Sequence, residues 1–116
     1  MSRLDGLQGN VLVGYETGHA AYLFASVTEA AAARRWLAAG IEGVTTHRRW
    51  AERAPDVTVN LAFGYDGLLA VGVPAARVEH LEAFRQGMLA RAARIGDTGA
   101  SAPEHWDRGA STATCS

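Results

Sequence analysis

Alternation of apolar and polar positions is clearest in "VTVNLAFGY", residues 57–65. Val57, Val59, Leu61 and Phe63 fall on one side, and Thr58, Asn60 and Ala62 on the other. Period two with β-branched residues predicts a strand. "AAYLFASV", residues 20–27, is apolar throughout and partly aromatic, and reads as a mostly buried strand. "VTTHRRW", residues 44–50, begins β-branched and ends basic, and reads as a short strand. Two stretches carry helical spacing instead. "EAAAARRWLAAG" follows Thr28 as N-cap, with Glu29 in its first turn. Ala30, Ala33, Trp36, Leu37 and Ile41 form its inner stripe, and Gly40 or Gly43 closes it. After Pro74, the positions Val78, Leu81, Phe84, Met88, Ala92 and Ile95 recur at the spacing of a second helix, which Gly96 ends. Gly87 inside that helix costs about 1 kcal/mol relative to alanine.

The predicted order is therefore β-α-β-β-α, an α+β chain one strand short of the ferredoxin-like β-α-β-β-α-β arrangement. Residues 1–19, with Gly6, Gly9, Gly14 and Gly18, read as an irregular lead-in. Residues 20–106 read as a partial ferredoxin-like domain and residues 107–116 as a polar tail. The final strand is expected to be absent, which leaves a sheet edge without its neighbour.

Composition narrows the function classes. The 116 residues carry a net charge of −1 with 48% hydrophobic content, the profile of a globular domain without bulk affinity for nucleic acid. No run approaches the length of a membrane span or a signal-peptide core, so neither nucleic acid nor membrane is expected as a partner, and a cytoplasmic location is. The single cysteine, Cys115, forms no internal disulfide. All eleven basic residues are arginine, which excludes a P-loop lysine and Schiff-base chemistry.

Candidate chemistry is sparse. His19, His47, His80 and His105 show no metal-ligand spacing, and each reads as an ordinary loop or surface histidine. The "THRRW" cluster reads as a solvated strand end, with Arg48 or Arg49 open to pairing with a carboxylate. Asp97, Glu104 and Asp107 lie near one another in sequence, yet Asp97 in "GDTG" fits a turn after a helix better than an acid–base pair. Ser101 lacks a nucleophile elbow, and Cys115 lies almost at the terminus. No residue is assigned a catalytic, cofactor-binding or metal-binding role.

Four stretches taken together carry a family resemblance: "LQGNVLVGY", "VTTHRRW", "PDVTVNLAFGYDGLLAVGVP" and "FRQGMLARAARIGDTGASAPEHW". In this order and spacing, from about Leu4 to Trp106, the chain resembles the N-terminal region of dye-decolourising (DyP-type) haem peroxidases. The resemblance implies the first of two ferredoxin-like halves of an enzyme that holds haem b and oxidises dyes and other aromatics with hydrogen peroxide. In that family the distal aspartate lies in a G-x-x-D-G motif, and the distal arginine and proximal histidine follow later. This sequence has no G-x-x-D-G, so no family catalytic residue carries over to it. After "APEHWD" the family continues into an apolar strand, where "RGASTATCS" is small and polar; a premature stop or a frameshift is one explanation of that difference.

The expected function is that of an N-terminal fragment of such a peroxidase, inactive alone and binding no haem by itself. The alternative is a non-catalytic ferredoxin-like dimerisation or binding module, paired with a second copy or with a complementing C-terminal half. A third reading, a small-ligand enzyme with Tyr22, Thr58 and Asn60 in a polar pocket, ranks last for want of an acid–base pair.

Overall fold

The computed structural model describes residues 4–15 and 17–106. Among them the regular elements are helical: α1 (Gly9–Leu12), α2 (Ala30–Gly40), α3 (His47–Glu52), α4 (Tyr65–Ala70) and α5 (Glu82–Ile95), with single 3-10 turns between and after them. No strand is formed among the described residues, and one isolated antiparallel bridge joins Gln8 to Thr46. The ferredoxin-like expectation is thereby overturned, segment by segment.

Residues 20–27 were expected to be a buried strand, but they take no hydrogen-bonded neighbour among the described residues. Their large side chains stand in solvent, with Leu23 95% and Tyr22 81% exposed. An apolar run becomes a strand only when another backbone satisfies its polar groups. Residues 44–50 differ for a local reason. Thr46 is extended and its Oγ1 accepts the Arg49 N–H at 3.4 Å, so it caps α3 from the middle of the expected strand. Val44, Thr45 and Thr46 alone precede the helix.

Both expected helices form, with changed limits. α2 starts at Ala30, one residue later than a Thr28 cap implies, and the Glu29 carboxylate accepts the Ala31 N–H at 2.9 Å. Its predicted inner stripe is half-buried at Ala30, Ala33 and Leu37, while Trp36 and Ile41 are exposed and no residue of the helix is fully buried. The long helix after Pro74 divides into a 3-10 turn, Ala75–Arg77, and α5. α5 is itself broken at Gly87, where φ is 73° and ψ is 174°. That conformation is open essentially to glycine alone, so Gly87 redirects the backbone where the sequence pattern predicts a straight helix. Between the extended segment and Pro74 the chain forms the six-residue helix α4.

The chain forms two compact units. One comprises the described residues up to Tyr22 together with Ala32–Ala62, and the other comprises Leu23–Ala31 together with the described residues from Phe63 onward. In the first, α1 packs on α3, and the buried positions are Gly9, Val44 and Thr45. In the second, α4 packs on α5 through an edge-to-face pair of Tyr65 and Phe84, with centroids 6.1 Å apart, while Ala92 and Ala102 are buried. Among the described residues no large side chain is fully buried.

Candidate functional site: a one-sided backbone edge

The most ordered polar arrangement lies in the first unit, around Thr45. Its carbonyl accepts the Gly9 N–H at 2.9 Å, its own N–H donates to the Val59 carbonyl at 2.8 Å, and its Oγ1 accepts the Val59 N–H at 2.9 Å. Two residues further on, the Gln8 side chain repeats the pattern. Its Nε2 donates to the Leu61 carbonyl at 2.7 Å, and its Oε1 accepts the Leu61 N–H at 2.8 Å. A primary amide offers one donor and one acceptor side by side, which matches the N–H and C=O of one residue in an extended chain. Thr45 and Gln8 thus stand in for a neighbouring strand along one side of the segment.

The position of Gln8 is fixed by its surroundings. The His47 N–H donates to the Leu7 carbonyl at 2.8 Å, and Gly9 is held to Thr45, so the backbone on either side of Gln8 is tied to the start of α3. Tyr15 donates from its hydroxyl to Asn60 Oδ1 at 3.3 Å and lies across Gly9. A Cβ on Gly9 would stand 2.6 Å from the Tyr15 hydroxyl oxygen, so any larger residue there would have to displace the Tyr15 ring.

Val59 and Leu61 present both backbone groups to the same side, the period of a strand. Among the described residues the backbone groups of Thr58, Asn60 and Ala62, which alternate with them, take no partner. The alternation read from the sequence is therefore real, but only one side of it is bonded. Sequence reasoning passed over Gln8 and Thr45; the signal was present in "LQGN", a polar amide between a leucine and a glycine, but a side chain that imitates a backbone has no spacing rule.

Beside this edge an open cleft of about 350 Å³ is lined by Gly43, Thr45, Arg49, Glu52, Arg53, Pro55 and Val57. Arg49 Nη1 donates to the Glu42 carbonyl at 2.9 Å. Glu52 accepts from Arg48 Nε at 3.0 Å across one helical turn.

The other candidates stay apart from any constellation. His19, His80 and His105 are exposed. His47 is half-buried at the start of α3, and its Nδ1 has no hydrogen-bond partner among the described residues. Arg48 is engaged with Glu52 rather than with a carboxylate ligand. Tyr22 is exposed, and Thr58 and Asn60 lie on the extended segment, with Asn60 taken up by Tyr15. The carbonyl of Ser101 accepts from the Trp106 indole at 2.9 Å. Asp97 donates its N–H to the Ala92 carbonyl in the turn that ends α5, the turn role expected for it. Glu104 lies in the last 3-10 turn, and Asp107 and Cys115 lie outside the described residues. Among the described residues no three His, Cys, Asp or Glu side chains gather at a metal-binding distance, and no helix is long and apolar enough to cross a membrane.

The family model of the DyP dimeric alpha+beta barrel domain matches residues 6–113, nearly the whole sequence. The chain belongs to the DyP-type family and corresponds to the N-terminal region of its members. No curated protein and no solved structure matches the chain.

That family implies a haem, which requires an axial ligand and an enclosing apolar pocket. The described residues do not fit one. The open cleft has two arginines and a glutamate in its wall and no histidine, while the His47 Nδ1 is a buried atom and does not line that cleft.

Proposed function

We propose that this chain serves as a non-catalytic part of a DyP-type haem peroxidase and has no peroxidase activity unaided. The observation that carries this reading is the pair of unfinished apolar segments. Residues 20–27 expose Tyr22, Leu23 and Phe24, and residues 57–63 are bonded along one side only. Surface of this kind belongs against another polypeptide. In the enzyme family, haem, hydrogen peroxide and an aromatic reductant meet in a pocket whose ligand residues have no counterpart here. The direct test is addition of haem to the purified chain, with the Soret region recorded and peroxide-dependent dye bleaching followed. Neither a ligated Soret band nor bleaching is expected. Stoichiometric haem binding with turnover would overturn the proposal.

A second reading has support of its own. The family's domain is described as dimeric, and the free side of residues 58–62 offers backbone donors and acceptors to a second copy. In this reading the chain is an assembly module whose specificity resides in the exposed side chains of the 57–63 segment, such as Val57 and Val59.

A further inference from the structure

The cleft between α3 and the chain leading to Val57 has a charge arrangement that the proposed assembly role does not use. Arg49 and Arg53 lie one helical turn apart and both line it. The Arg49 fork is held from one corner by the Glu42 carbonyl, which limits its rotation and leaves its remaining donors available. The side chain of Arg53 has no partner among the described residues. Glu52 is the one acid in the wall, and the Arg48 guanidinium at 3.0 Å offsets its charge. The cleft therefore faces solvent with two cations and a neutralised carboxylate. Pro55 and Val57 supply its aliphatic lining.

We propose that this cleft binds a small organic carboxylate with an aliphatic tail. A guanidinium presents planar paired donors that match a carboxylate, and it gives up hydration more easily than an ammonium. The cleft volume of about 350 Å³ is at the lower end of the range for small-molecule sites. The carboxylate lies against Arg49 and Arg53, and the tail covers Pro55 and Val57. Binding is electrostatic at its centre, so it weakens as salt is raised.

The test is titration of the isotope-labelled full chain with butanoate, followed through backbone amide and arginine Nε resonances. Saturable shifts are expected at Arg49, Arg53 and Val57, with butanoate bound more tightly than acetate. Butyramide, of nearly the same shape but uncharged, is expected to produce none. Arg53→Gln should weaken butanoate by about tenfold or more, the loss of a charge-assisted contact. Arg53→Lys, which keeps the charge but not the fork, should fall between the two. Arg85→Gln removes the same charge from the other unit and should leave the affinity unchanged. Equal responses to butanoate and butyramide, unsaturable shifts, or undiminished binding by an Arg53→Gln chain with unaltered far-UV circular dichroism would each overturn the assignment.

Discussion

The Gln8 side chain ties together two parts of the chain that are far apart in sequence. Its amide satisfies both polar groups of Leu61 across 53 positions of sequence. Gln8→Leu keeps much of the bulk, removes both bonds, and leaves the Leu61 N–H and carbonyl to find water. The expected loss is about 1–3 kcal/mol, the sum of two ordinary hydrogen bonds. Equilibrium urea denaturation checks it; a midpoint unchanged from the unmodified chain would mean that the clamp contributes nothing to stability. Little of this was legible in the sequence. Helix propensity, caps and apolar period are local properties, whereas Gln8 acts on a residue far along the chain. At Thr46 a local rule did operate, and the β-branched run that begins at Val44 concealed it. The residue preceding a helix has to be extended, so a threonine cap and a strand residue look alike until the helix that follows is considered.

At the scale of elements, the alternation of Val57, Val59, Leu61 and Phe63 identified an extended segment correctly and a sheet incorrectly. Alternation records which side chains share a face, and it says nothing of whether a second backbone is present to pair. The four family motifs were legible for a different reason, since each is a fixed string and their order is specific. α5 shows the opposite limit: the apolar period runs through Gly87 without a break, while the backbone at that position has left the helix. The free side of residues 58–62 gives a direct prediction. Ala62 is exposed, and its N–H has no partner among the described residues. Ala62→Pro removes that donor and places a ring on the open side, while the Leu61 pairing to Gln8 faces away from it. Light scattering should show that the unmodified chain self-associates, that Ala62→Pro abolishes the association, and that Ala62→Val, which retains the N–H, does not. A chain that is monomeric at every concentration would remove the assembly reading.

At the scale of the whole molecule, the decisive feature is how little is enclosed. Among the described residues the buried positions are Val44 and Thr45 in one unit and Ala92 and Ala102 in the other, together with Gly9, and all are of small or medium size. Large apolar groups such as Leu23, Tyr22 and Val57 remain outside. Burial of apolar surface is the main favourable contribution to folding, so these exposed groups contribute little to the stability of the chain by itself, and the proposed assembly would gain from covering them.

The stretch from Ala20 to Val27 has a further consequence, for survival rather than assembly. It has no backbone protection among the described residues, and it displays adjoining aromatic and leucine side chains. Those are the requirements of a chymotrypsin-like protease, which needs a pliable backbone it can draw into its own groove. Limited digestion followed by mass spectrometry should therefore find the first cuts after Tyr22, Leu23 or Phe24, ahead of sites within α2 or α5. Initial cleavage elsewhere would show that this run is shielded in solution. Under the proposed assembly reading, the same exposure ties the lifetime of the chain to its occupancy: the uncovered form is degraded and the covered form persists, so its abundance follows that of its partner.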